Sequence, residues 1–387
     1  MSEQLRFGIE EEYFITDLVT RQIPGRNPSA VSDVCRAALG QHFACEMFQS
    51  QIEVASPVFT GLSQAADYLG NARGALQQAL QPFGLGLLSV GSHPLADWRG
   101  QRPTADPYFQ QLFDDYQHVA RRSLLSGLHV HVEIPADRDR IRIMNEVLPW
   151  TPLLLALSSS SPFWQGDDSG FASYRQTACD EWPRMGIPEL LEDQAALDAY
   201  VAFQVASGVI KDAGGCWWAI RPSVHYPTLE LRMTDACPRL EDALSLASLF
   251  RVMVAHAVAQ PRAGAHYSAK SRWLVMENRW RAKRSGRDAA FLVEGFDWAF
   301  TLDQWLLLAE QTLGETARLM GVEHVFGDLR RIILEGTSAD RQRRVYQACI
   351  SSGDSPEQAL SRVVDDLLME TAQPVVRVDP KALAAAL

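Results

Sequence analysis

The chain has 387 residues, 47% hydrophobic and 21% charged, which is enough apolar material for a substantial core in one large domain or two smaller ones. Its formal net charge of −11 disfavours nucleic acid and anionic membrane as partners, since both call for a basic surface, but leaves room for a phosphate ligand offset by metal ions or local arginines. The opening residues, MSEQLRFGIE, show no basic region followed by an apolar one, and no uninterrupted apolar run approaches the ~18 residues of a membrane span. The expectation is a soluble, cytoplasmic protein. Its six cysteines (Cys35, Cys45, Cys179, Cys216, Cys237 and Cys349) form no C-x-x-C pair and read as reduced thiols, with neither a disulfide framework nor a zinc knuckle.

The first element is LRFGIEEEYFI, residues 5–15, a β-favouring run that carries three glutamates. Residues two apart in a strand share a face, so Phe7, Ile9, Glu11, Tyr13 and Ile15 face one side and Gly8, Glu10 and Glu12 the other. Glu10 and Glu12 then stand roughly 7 Å apart and repel by about 2–3 kcal/mol at an effective dielectric near 20. A second strand, QSQIEVASP, sets Ile52 and Val54 against Gln49, Gln51 and Glu53. Helical periodicity follows in residues 63–83, with Ser63 as the expected N-cap, and in DPYFQQLFDDYQHVARRSLL, residues 106–125.

Further strands are GLHVHVEIP, with Val130, Val132 and Ile134 opposing His129, His131 and Glu133, and GCWWAIRPS, with Trp217 and Arg221 on one face. PTLELRMTD sets Leu229, Leu231 and Met233 against Thr228, Glu230, Arg232 and Thr234. Helices are expected over residues 241–261, 302–321 and 355–372, the last opened by Ser355, Pro356 and Glu357. Strands early and helices late, without regular βαβα alternation, indicate an α+β fold with an antiparallel or mixed sheet.

Five strands thus pair an apolar side with a side rich in Glu, His and Arg, where a merely wet face would carry Thr, Lys and Ser. Hard carboxylate oxygens with an occasional imidazole suit Mg²⁺ or Mn²⁺ better than zinc. Several carboxylates around more than one ion match what a nucleoside triphosphate needs while its γ-phosphoryl group moves, and Arg221 and Arg232 could hold a substrate carboxylate or that phosphate. Alternatives remain: His129 and His131 as the H-x-H pair of a zinc hydrolase, or a non-catalytic protein that binds a nucleotide or amino acid. The sequence has no G-x-x-x-x-G-K-[ST] loop and no G-x-S-x-G elbow. ENRWRAKRSGRD, residues 277–288, reads either as a phosphate cradle or as a solvated basic helix face.

Taken in order, GIEEEYF, QSQIEVASP, GSHPLADW, GLHVHV, FWQG, SYR, RPSVHYPTLELRMTD and ENRWRAKRSG resemble the bacterial type 2 glutamate–cysteine ligases. This carboxylate–amine ligase family is similar to glutamine synthetase in fold. The resemblance implies a curved, mainly antiparallel sheet forming an open concave site, helices on its outer face, and one catalytic domain over residues 1–387 with a mostly helical part from about 300. It implies ATP as co-substrate, two or three Mg²⁺ ions, and amide formation between glutamate and an amine, cysteine in the named activity, through γ-glutamyl phosphate. Carried over by position, it implies Glu10, Glu12, Glu53, His129 and Glu230 as metal ligands, with Glu230 and Arg232 catalytic. Arg221, Arg232 and Trp217 are then expected at the substrate, and Arg279, Arg284 and His131 at the nucleotide. Glu11 is left out because alternation turns it away, and Glu133 departs from the small residue expected after HVHV. Small-molecule substrates and a homodimer complete the expectation.

Overall fold

The computed structural model describes residues 5–25, 29–259 and 268–374. Its strands are β1 (Phe7–Asp17), β2 (Phe43–Cys45), β3 (Gln51–Ala55), β4 (Leu85–Leu88), β5 (Leu128–Glu133), β6 (Phe163–Trp164), β7 (Asp167–Asp168), β8 (Ile220–Pro222), β9 (Thr228–Leu231), β10 (Phe291–Leu292) and β11 (Ala299–Phe300). β6–β7 and β10–β11 are two small hairpins, and the other seven strands form one antiparallel sheet in the order β2-β3-β1-β5-β9-β8, with β4 added to the far half of β1. The α+β expectation with an antiparallel sheet holds.

Register places the polar residues in rows across the sheet. Ala44, Glu53 and Glu12 form one row; Ala55, Glu10 and His129 form the next; Gly8, His131, Glu230 and Arg221 form the third. The alternate residues Phe7, Ile9, Tyr13, Ile52, Val54, Val130, Val132, Leu229 and Leu231 are buried in the main core with the helices Leu62–Leu80 and Leu240–Ala259. One end of the polar face is closed by a second cluster, in which Phe14 meets Phe48, Phe113 and apolar residues of the last helix, Pro356–Ala372.

Two local expectations change. The helix expected with Ser63 as its N-cap has its cap two residues earlier, at Gly61, and begins at Leu62, because the Gln64 side chain reaches back to the Thr60 and Gly61 amides. The segment expected as one helix over 106–125 divides at Gln117, which sits at φ 46°, into Pro107–Tyr116 and His118–Arg122. The 20-residue helix Leu240–Ala259 contains an 18-residue window of mean hydropathy 1.4, enough in length and composition to cross a membrane, yet 83% of that window is inside the fold. It is a core helix, and its Arg251 donates to the carbonyls of Leu5 and Thr60.

After residue 300 the described chain is helical, as expected, and Ser355 caps its last helix reciprocally with Gln358. Glu370 accepts from Arg239 and Arg341, which ties that helix to the core.

Candidate active site

The first strand sorts its three glutamates by alternation. Glu11 points to the helices, where both carboxylate oxygens accept from Arg73 (2.5 and 3.2 Å) and Tyr13 adds its hydroxyl. Glu10 and Glu12 point the other way. Two ligand-like groups form there, Glu10–His131–Glu230 and Glu12–Glu46–Glu53, each with its donor atoms within 4.8 Å of one another.

His129 links them, with Nδ1 3.2 Å from Glu10 and Nε2 3.6 Å from Glu12. His131 Nε2 lies 3.3 Å from Glu10 and 3.9 Å from Glu230, while its Nδ1 is fixed 3.0 Å from the Thr228 hydroxyl. The Nε2 atoms of both histidines are buried, and neither has a hydrogen-bond partner among the described residues. Glu12 is oriented by the Gly127 amide at 2.6 Å. A Cβ at Gly127 would stand 2.2 Å from Arg175 Nη2 and 2.9 Å from His129 Nε2, so only glycine allows this approach.

Electrostatics separates the two groups. Burial alone would raise Glu230, but Arg232 and Arg221 overcome it and bring the carboxyl down to about 2. Arg221 donates to Glu230 at 2.7 Å and to the carbonyls of Gly214 and Cys216, and Arg232 donates to the other Glu230 oxygen. Glu10 also resists the upward push of burial and is held well below the usual range by His129 and His131. In the other group, burial and then the charge of Glu12 push Glu46 up to about 8, and burial followed by Glu10 and Glu46 raises Glu53. Three converging carboxylates that form no ion pair with an arginine or lysine among the described residues, next to an unpartnered imidazole nitrogen, fit divalent cations. The oxygen-dominated sets, without cysteine, favour Mg²⁺ or Mn²⁺ over zinc.

Of the sequence candidates, Glu10, Glu12, Glu53, His129, His131, Glu230, Arg221 and Arg232 converge on this face. Trp217 sits half-buried at its Arg221 end, against Tyr116 and Trp182. A groove of about 250 Å³ opens beside Glu10 and His131, with Gly8, Ser56 and Thr228 in its walls. Neither Arg279 nor Arg284 lines it. Arg279 is buried on Asp180 (2.7 Å) and Gln176, Lys283 also binds Asp180, and Arg284 donates to the Gly170 carbonyl. The segment 277–288 is therefore not simply a solvated basic face. Glu133 lies at the outer edge of the groove in a two-pronged ion pair with Arg6 (2.5 and 2.9 Å).

Sequence reading missed Glu46. The register explains its place: Phe43 and Cys45 pack inward, Ala44 pairs with Glu53 on the polar face, and one further step of that alternation reaches Glu46.

Residues 6–365 match the family described as Glutamate-cysteine ligase family 2 (GCS2). The chain is 54% identical over 362 residues to the protein named "Putative glutamate--cysteine ligase 2" of Pseudomonas fluorescens, covering 94% of this chain and 93% of that one. It is 50% identical over 369 residues to the protein of the same name in Pseudomonas paraeruginosa, covering 95% and 96%. Among solved structures, a glutamate–cysteine ligase from Francisella tularensis in complex with AMP superposes with TM-score 0.68 at 11% identity, covering 98% of this chain and 91% of that one. A bifunctional glutathione synthetase from Pasteurella multocida superposes with TM-score 0.63 at 15% identity, covering 95% of this chain and 53% of that one. The fold is shared with that glutamate–cysteine ligase and that glutathione synthetase. The chain belongs to glutamate-cysteine ligase family 2.

Proposed function

We propose that the protein joins the γ-carboxylate of glutamate to an amine at the expense of ATP, with cysteine, from the family's name, as the first acceptor to test. The observation that carries this reading is the pair of carboxylate groups side by side on one sheet face, next to Arg221 and Arg232. A zinc hydrolase would need neither the second, all-carboxylate group nor those arginines.

Glu10, His131 and Glu230 would hold one divalent cation, and Glu12, Glu46 and Glu53 another. Bound there, the cations supply neutralisation of phosphate charge during phosphoryl transfer. The groove beside Glu10 and His131 gives the nucleotide a place at one end of the face. Arg232, anchored on Glu230 and still partly exposed, is placed to bind the glutamate carboxylate and the acyl phosphate that replaces it.

In the first step a γ-carboxylate oxygen attacks the γ-phosphorus of ATP and ADP departs. In the second the amine nitrogen bonds to the carbonyl carbon, the C–O bond to phosphate breaks, and phosphate leaves with the electron pair and takes up the nitrogen's proton. Arg221 positions Glu230, and His129 positions Glu10 and Glu12. The cytoplasm, with reduced cysteines, is the setting inferred from the six free thiols. Release of ADP from ATP and Mg²⁺ tests the reading across a panel of amines, each with and without glutamate. Turnover that needs both glutamate and an amine supports it; turnover indifferent to glutamate refutes it.

A further inference from the structure

A buried arginine from outside the sheet holds the backbone that carries Arg232. β9 ends at Leu231, so Arg232, Met233 and Thr234 run on beyond its ladders with β5 and β8. Their carbonyls meet the short helix Tyr174–Cys179. Arg175 Nη1 donates to the Thr234 carbonyl at 3.0 Å and, at longer range, to those of Arg232 (3.4 Å) and Met233 (3.5 Å). Its Nη2 also reaches the Arg232 carbonyl, at 3.4 Å. Gln176 donates to the Met233 carbonyl at 2.8 Å and is itself held by Arg279 at 2.9 Å.

We infer that Arg175 is a positioning residue for the ligation, acting through Arg232, whose guanidinium it keeps aimed at the glutamate carboxylate and the acyl phosphate formed from it. The inference rests on the ligase reading above and deepens it. Its first support is convergence. One guanidinium spans three successive carbonyls, a task that suits a planar fork and that a single ammonium group cannot match. The Arg232 side chain is thereby fixed at its root by the clamped backbone and at its tip by Glu230.

The second support is where the charge lies. Arg175 is buried, yet the carboxylate it pairs with, Asp235, stands 4.0 Å away. Asp235 already accepts from the Ser160 amide (3.1 Å) and from the Ser161 (2.7 Å) and Ser173 (2.8 Å) hydroxyls. A buried arginine serving stability alone gains most from a close, two-pronged carboxylate, as Arg73 has in Glu11. Arg175 packs instead on Gly127, the residue whose amide orients Glu12. It thus joins the strand end that bears Arg232 to the turn that sets Glu12.

The experiment is a double-mutant cycle on wild type, Arg175→Lys, Arg232→Lys and the double variant, with hydroxylamine trapping activated glutamate as the hydroxamate. Arg175→Lys keeps the buried charge but loses the fork, and should fold as wild type by circular dichroism. It should lower kcat about 10–100-fold, as expected when a reacting group is misplaced by about 1 Å, and leave the KM for ATP within about twofold. Added to Arg232→Lys, it should cost less than about twofold more, because its effect passes through the residue already changed. Losses that multiply in the double variant, a loss confined to the KM for ATP, or a kcat for folded Arg175→Lys equal to that of wild type would overturn the assignment. If Arg175→Lys does not fold, Gln176→Met takes its place in the cycle. It removes one hydrogen bond to the same backbone and should lower kcat about 3–10-fold, again absorbed by Arg232→Lys. Full activity of Gln176→Met would then overturn the assignment. Absence of hydroxamate from the wild-type enzyme would instead overturn the ligase reading on which it rests.

Discussion

Glu10 and Glu11 are neighbours in sequence with opposite fates, and exchanging each for glutamine separates stability from catalysis. Glu11 and Arg73 form a buried pair whose side chains are 2% and 4% exposed, closed by hydrogen bonds of 2.5 and 3.2 Å. Arg73 also donates to the carbonyls of Cys237 and Pro238, so it cannot swing out to water when its partner changes. Glu11→Gln therefore strands a guanidinium charge in the core, at a cost of about 3–5 kcal/mol. That is a large part of an ordinary domain's total stability. Replacing both partners, Glu11→Leu with Arg73→Met, removes the stranded charge and restores most of the loss.

Glu10→Gln, on the polar face, leaves the unfolding free energy near that of wild type and abolishes ligation. Urea unfolding followed by tryptophan fluorescence, alongside ADP release, measures both quantities on each variant. A Glu11→Gln change within about 0.5 kcal/mol, the range of an ordinary surface substitution, would refute the division of the strand into two faces. So would an unfolded Glu10→Gln.

Three further outcomes follow from the same geometry. Arg232→Lys keeps a charge but loses the guanidinium fork anchored on Glu230, and should lower kcat by about 10²–10³-fold with the fold intact in circular dichroism. Val132→Asp puts a carboxylate on a fully buried position of β5 and should leave the protein insoluble or unfolded by the same spectrum. His93 is buried, and burial lowers its pKa to about 3, below the ~6.5 of an exposed imidazole. As pH falls below ~6.5 the unfolded chain gains a proton that the folded one does not, so stability is lost toward pH 3 at up to about 1.4 kcal/mol per pH unit. His93→Gln should flatten that slope in urea midpoints taken from pH 7 to 4, and an unchanged slope would contradict the assignment.

The two-faced strands were legible because alternation with period two survives tertiary packing: Glu10, Glu12, Glu53, His129, His131 and Glu230 met as the pattern required. What was illegible depended on contacts remote in sequence or on very short elements. β2 is only three residues long, too short to announce that Glu46 continues its polar side. Arg279 reads as a surface cation until Asp180 and Gln176, about a hundred residues away, are brought against it. The break at Gln117 follows from a positive φ that no proline or glycine advertises. Helix ends were more readable where a local reciprocal cap fixes them, as at Ser355.

Oxygen transfer tests the central claim most directly. Glutamate labelled with ¹⁸O in its γ-carboxylate is converted with ATP and the best acceptor amine, and the released phosphate is examined by mass spectrometry. Activation through γ-glutamyl phosphate on this face predicts one ¹⁸O atom in each phosphate released and its loss from the amide product. Phosphate free of label, with amide formed or ATP consumed, would contradict it.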